Sequence, residues 1–431
     1  MRYKKVPVYL LARLLVLTLT LILASGAWAA PKYKVLYKFT GGSDGGASQS
    51  PLIFDKAGNL YGMTYLGGQK GGCFAGLGCG TVFELTPGSG AGWAESVLYA
   101  FTGGADGGNP IFGGLIFDAN GNLYGTTSFG GIFGGPCDPY GCGTVFELAP
   151  GSQDWTESVL YSFTGTSGAE PLSTLTFDNK GRLYGTTTSG GLESVGTIVQ
   201  LVKTNGGTWK ETTIHQFGRN DGSSPVAGLI PDAASNLYGT TSVGGATNGG
   251  TVFELTNNSR KVTMLHSFQC GLNKCNSKDG GNPWSSLVFD QHGNLYGATR
   301  LGGTHRNGAI YKLTPSKGGK WKVSVLYSFK GGSGDGAEPF STLVFDKFGN
   351  IYGTASGGGN NSNGIVFKLA PGTGGRWKET ILHRFSGGGN GSRPFAGLVM
   401  DAAGNLYGTT DEGGNAGCGK NGCGVVFEVT P

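Results

Sequence analysis

An all-β seven-bladed propeller, four strands to a blade and closed by its N-terminal strand, is the fold this sequence predicts, and three observations predict it. A Tyr-Gly pair recurs at Tyr61, Tyr124, Tyr184, Tyr238, Tyr296, Tyr352 and Tyr407, spaced by 54 to 63 residues. Repetition at that period decides the architecture before local propensity does. Each copy holds four short apolar or alternating segments divided by Gly, Pro, Asn and Asp, as strands divided by turns are. The segment YKVLYKF, Tyr33 to Phe39, matches the fourth strand of a copy, and the closing GVVFEVTP matches the third. Joined, the two complete a blade and leave no open sheet edge.

In chain order, residues 1–29 read as an export signal. Arg2, Lys4, Lys5 and Arg13 precede the apolar run Leu14 to Leu23, and small residues follow around Ala27 and Ala29. The run is too short to span a bilayer comfortably, and nothing after it is apolar for the 18 residues a span needs. Export to the periplasm, the cell surface or the medium is expected, without stable membrane insertion once the signal is cleaved. Cleavage lowers the formal charge from +5 to +1, leaving no basic footprint for nucleic acid. Residues 31–431 then read as one propeller domain, expected to be monomeric. The 85 glycines suggest low complexity, but aromatics make up 11% of the chain and supply surface to bury.

Within the second copy the four strands read as GGLIFD, NLYGTTS, GTVFELAP and WTESVLYSF. Asp118, with the ANGN that follows, reads as a tight turn closed by an Asp side chain and a glycine. Asp55, Asp178, Asp232, Asp290, Asp346 and Asp401 take the same place in the other copies, so seven aligned carboxylates are read as turn chemistry and not as a metal array.

The pattern GxVFxLxP starts at Gly80, Gly143 and Gly364, and with one change each at Gly250 and Gly424. With GLIFDANGNLYGTT it resembles the GloVer tandem repeats of secreted bacterial proteins, over essentially all of Tyr33 to Pro431. The D-x-x-G-N-L-Y core is also similar to NHL propeller repeats. The third copy departs as IVQL and the fifth as IYKL. What the resemblance implies is export and a repeat scaffold, with no established activity.

With PxxxLxFD innermost, the blade-to-blade loops and the loops between second and third strands share one face, and the short Asp-led turns take the other. Long loops are where binding is expected. Eight cysteines fall into local couples: Cys73 with Cys79, Cys137 with Cys142, Cys270 with Cys275, and Cys418 with Cys423. An even count in an exported chain favours disulfides, and their spacing, without supporting histidines, disfavours zinc. All four map to the loop face. Closing about six residues is worth roughly 2 kcal/mol in the chain-entropy model and lowers the ordering cost of binding.

An enzyme is not favoured. The inner strands carry mostly Gly, Ala, Ser and Thr toward the channel, and His215, His266 and His383 stand where other copies carry Tyr. His292 falls in an Asp-led turn. Asp44, Asp106, Asp221, Asp279 and Asp335 in the blade-to-blade loops leave calcium open, although Asp-Gly is also a common turn pair; no other cofactor is expected. Chemistry is expected where the copies differ, after the Tyr-Gly strand: Tyr65, Ser128, Phe129, Phe133, Arg300, His305, Asp411 and Glu412. Aromatics with polar neighbours suit a sugar ring or a peptide. The leading expectation is a non-catalytic module for an extracellular glycan or protein. A channel-site hydrolase or lyase acting on an extracellular polysaccharide, and a structural or adhesive surface component, are the alternatives.

Overall fold

The computed structural model describes residues 30–431 except 70–72, 74–75, 89–91, 135, 153, 258 and 271–274. The export signal expected at 1–29 lies outside the described residues. Seven four-stranded antiparallel sheets are present, each in the order inner, second, third, outer. The first blade runs Ile53–Phe54, Leu60–Thr64, Thr81–Pro87 and Trp93–Ala100. The last runs Val399–Met400, Leu406–Thr409 and Val425–Thr430, and its outer strand is Lys32–Lys38. Lys32 pairs with Thr430 and Lys38 with Val425, so the ring closes as the sequence predicts. No helix among the described residues is long and apolar enough to cross a membrane.

The inner strand is shorter than its motif suggests. Its ladder covers two residues per blade, and the preceding Pro-to-Leu stretch lines the axis without pairing. By contrast, the second strand LYGTT is buried along its whole length, because it lies inside a blade that is itself covered by neighbours on both faces. Its glycine is a contact requirement: a Cβ on Gly125 would lie 2.5 Å from Cζ of Phe146.

Core residues cluster between blades. Tyr61, Met63, Val82 and Phe101 of the first blade pack with Leu115, Leu123, Phe146 and Leu148 of the second. The Phe that ends each outer strand meets the third-strand aromatic of the next blade edge to face, as Phe101 meets Phe146 at 5.2 Å and Phe385 meets Phe427 at 5.2 Å. This geometry favours aromatic pairs. The third copy's IVQL puts Val199 in that slot, so the contact is lost at one junction.

The Asp-led turns share one wiring in six blades, and in the third the Arg182 guanidinium replaces the Asn side chain on Asp178. In the second, Oδ1 of Asp118 accepts from the amides of Asn120 and Asn122 at 2.8 and 2.9 Å, and Oδ2 from the Asn122 side chain and the Tyr124 hydroxyl. These carboxylates are fully used as turn closers.

Candidate functional site

On the loop face each blade contributes a residue with positive φ just before its axial stretch: Ala47, Asn109, Glu170, Ser224, Asn282, Glu338 and Arg393, at φ 52 to 54° or 56°. The left-handed region costs an L-residue roughly 1–2 kcal/mol. Most other positive-φ positions in the chain hold glycine, so a side chain is retained at these seven despite the strain. Each amide donates to the preceding blade's loop, Asn109 to the Cys79 carbonyl at 2.6 Å and Arg393 to that of Asn363 at 2.9 Å. Each carbonyl accepts from the residue after the second strand, as that of Asn282 does from Arg300 at 3.1 Å and that of Arg393 from Asp411 at 3.2 Å. The two variable registers are thereby tied into one ring about the axis.

Inside this ring the channel mouth is closed by aromatic side chains. Trp284 and Phe340 meet at 5.3 Å, Phe340 and Phe395 at 5.1 Å, and Phe112 and Trp284 at 5.3 Å, all edge to face. Phe112 reaches the axis because the second copy carries one extra residue between its Pro and Leu, and its own φ is 60°. Beneath the rings the axial cavity measures only about 50 Å³, lined by Pro51, Thr174, Gly228, Ser286 and Thr342 among others. Small residues do face the channel, as expected; the aromatic mouth was not anticipated. Its signal was the third residue before each core Leu, which reads Phe112, Trp284, Phe340 and Phe395 in four copies.

Polar groups flank the rings. Gln49, in the crown register of the first blade, donates to Oδ1 of Asp411 at 2.8 Å, and its own Oε1 is buried with no hydrogen-bond partner. Burial pushes the Asp411 carboxyl above the usual range; Glu412 adds to the rise, while the Gln49 amide and Arg393 oppose it. Burial and the charge of Asp411 also raise the Tyr65 hydroxyl. Arg393 lies over Phe395 at 5.0 Å and 3.6 Å from Glu412. Arg300 repeats the arrangement over Phe340 at 5.1 Å, 3.4 Å from Glu338. The structure therefore brings Tyr65, Asp411 and Glu412 together at the last junction and places Arg300 on another flank of the same crown.

Ser128 also stands in the crown ring, its amide donating to the Asn109 carbonyl at 3.4 Å, but it is 1% exposed and its hydroxyl has no hydrogen-bond partner. Phe129 lies 5.7 Å from Tyr140 in the second blade's long loop, away from the crown. Phe133 and His305 are exposed on the surface.

The four cysteine couples are disulfides: Cys73–Cys79, Cys137–Cys142, Cys270–Cys275 and Cys418–Cys423. They wedge against the neighbouring blade-to-blade loops. A Cβ on Gly41, at φ 75°, would lie 2.5 Å from Sγ of Cys418 and 2.7 Å from Sγ of Cys423.

The acids of those loops close their own turns. Asp106 accepts from the Thr102 amide at 2.8 Å and the Tyr99 hydroxyl at 3.1 Å. Where the Tyr becomes His215 or His266, the ring nitrogen lies 2.8 Å from Asp221 or Asp279, and His383 lies 3.1 Å from Asn390. These histidines occupy a slot that needs a polar tip, and they lie on outer strands far from the crown. Among the described residues no three His, Cys, Asp or Glu side chains form a group able to hold a metal. The crown can stack a ring and exchange hydrogen bonds with it; no nucleophile and base are paired there.

Comparison with known proteins gives a family and a fold. The model of the Gloeobacter/Verrucomicrobia repeat matches residues 76–274 and 271–431. No curated protein matches. Among solved structures, the chain is similar to the extracellular domain of a proposed one component system from B. thetaiotaomicron, at 14% identity and TM-score 0.52 over 94% of this chain. This chain spans 43% of that one's length. A protein of unknown function from Dyadobacter fermentans matches at 11% identity and TM-score 0.45, over 94% of this chain and 100% of that one. A proposed oxidoreductase (glucose dehydrogenase) from Thermus thermophilus matches at 14% identity and TM-score 0.42, over 93% and 100%.

Proposed function

The chain belongs to the Gloeobacter/Verrucomicrobia repeat family, and on that premise we propose that it is an exported, non-catalytic binding module that holds a glycan against the aromatic mouth of its channel. The observation that carries this reading is the crown itself: four half-buried rings, with amide, hydroxyl and carboxylate groups beside them, on the face that also bears the disulfides. Rings stack on the C–H faces of sugars, and convergent polar groups fix orientation. Four disulfides in one chain fit an oxidising compartment, and the similarity to an extracellular domain fits export. An axial cavity of about 50 Å³ leaves a ligand to sit on the mouth and not inside it, which disfavours a channel-site hydrolase or lyase.

A glycan array probed with the disulfide-intact protein tests the proposal. Wild type is expected to bind a defined set of glycans, and Phe340→Ala with Phe395→Ala to lose at least tenfold in affinity, since stacked aromatic anchors carry most of such energy. Binding is expected to be unchanged by a chelator, because the loop carboxylates already close turns. Retention only by a cell-surface protein fraction would move the partner from glycan to protein, and turnover of a polysaccharide would replace the module with an enzyme.

A further inference from the structure

We propose that a cleft between the third and fourth blades, on the face of the Asp-led turns and so opposite the crown, binds a carboxylate or sulfate group of an acidic ligand. The cleft is lined by Arg182, Tyr184, Gln200, Thr256, Asn257 and Arg260 among others. It measures about 20 Å³, room for one small charged group, so the body of the ligand lies on the surface outside it. Three of these residues are departures of their copies from the repeat. Arg182 stands where the six other copies carry Asn59, Asn122, Asn236, Asn294, Asn350 and Asn405. Gln200 stands where four copies carry Glu84, Glu147, Glu254 and Glu428, which accept from the second-strand Tyr at 2.7 to 3.4 Å; the other two carry Lys312 and Lys368. Asn257 replaces the proline of GxVFxLxP.

The exchanges meet in space. The Arg182 guanidinium donates to Asp178 and, across the junction, to Oδ1 of Asn257 at 3.0 Å. Gln200, 5% exposed, donates to the Tyr184 hydroxyl at 2.6 Å and accepts from the Arg260 guanidinium at 3.4 Å. Charge decides the ligand. In the second blade Asp118 and Glu147 set two carboxylates on the Tyr124 hydroxyl. In the third blade one of the two has become Gln200, and the side chain of the other, Asp178, is fully buried in its bridge to Arg182. Among the described residues no Asp or Glu lines the cleft, and Arg260 forms no ion pair. At the crown, by contrast, Arg300 and Arg393 each face a glutamate. The cleft therefore presents two guanidiniums with one positive charge uncompensated. Their planar forks match the oxygens of a carboxylate or sulfate, whereas a cation is repelled and a neutral group gains hydrogen bonds alone.

Isothermal titration of the disulfide-intact protein at low ionic strength tests the site, with glucuronate set against glucose and galactose 6-sulfate against galactose. An anion is expected to bind about tenfold more tightly than its neutral counterpart; preference for either anion supports the site, and the two pairs distinguish a carboxylate from a sulfate ligand. Arg260→Gln, on an exposed side chain, is expected to weaken anion binding about tenfold. Gln200→Glu restores the residue that four other copies carry, and its carboxylate is expected to take up Arg260 and weaken anion binding at least as much. Phe340→Ala with Phe395→Ala is expected to leave anion binding unchanged, so the cleft and the crown fail independently. Equal affinity for anion and neutral counterpart in both pairs, no binding of either anion, or indifference to both Arg260→Gln and Gln200→Glu would overturn the proposal.

Discussion

At the scale of single residues, three outer-strand acids make stability depend on pH. Burial pushes the carboxyls of Glu95, Glu157 and Glu379 up to about 7, and neighbouring Asp44, Asp106 and Asp335 add to the rise. One oxygen of each is buried without a hydrogen-bond partner. A carboxyl that holds its proton more tightly folded than unfolded stabilises the fold below its ordinary value. That contribution fades as pH rises from about 4.5 to about 7. Thermal unfolding is therefore expected at higher temperature at pH 5 than at pH 8, and the triple variant E95Q/E157Q/E379Q should be more stable than wild type at pH 8; equal melting profiles would refute the assignment. Gly125→Ala tests the close approach of strand and ring. With its Cβ 2.5 Å from Phe146, it is expected to cost about 1–3 kcal/mol in denaturant unfolding. That glycine, the Asp-led turns and the His-for-Tyr exchanges were legible in the sequence because each has a local partner at fixed spacing. The pairing of Asp411 with Gln49 was not, because it joins residues 362 positions apart.

At the scale of elements, strands were legible and loops were legible only as places. Period-2 patterning and turn residues mark the second, third and outer strands of each blade. The inner strand is misjudged in length: its Pro-to-Leu stretch looks like strand but lies against the axis, where only its last two residues find a partner. The same stretch hides the crown, because the third residue before the core Leu is read as one more strand position until seven copies are set around a common axis. Among loops, the cysteine couples were readable from spacing, whereas the burial of Ser128 was not, because its amide pairs with Asn109 of the blade-to-blade loop. The second blade's loop offers a direct test of local rigidity. Cys137→Ser with Cys142→Ser is expected to cost about 2 kcal/mol in denaturant unfolding, while leaving glycan binding at the crown intact. Loss of glycan binding would show that the loop supports the whole face.

At the scale of the molecule, closure of the ring is the feature the fold depends on most. Tyr33 stacks on His383 with ring centroids 3.6 Å apart, and its hydroxyl donates to the Asn390 carbonyl at 2.6 Å. Tyr33→Ala is expected to cost about 2–4 kcal/mol. Removal of Lys32–Lys38 would expose the edge of Val425–Thr430 and promote self-association, visible by size-exclusion chromatography; a stable monomer lacking that strand would contradict the closure argument. The closed ring is also what gathers seven dissimilar residues into one binding face. Trp284 reports on that face, since the five other described tryptophans begin outer strands toward the opposite side. The most direct measurement is thus tryptophan fluorescence during titration with an oligosaccharide selected on the array. The account predicts a saturable change in emission that disappears in Trp284→Phe. A change that persists in Trp284→Phe, or no change at saturating oligosaccharide, would contradict a glycan site at the channel mouth.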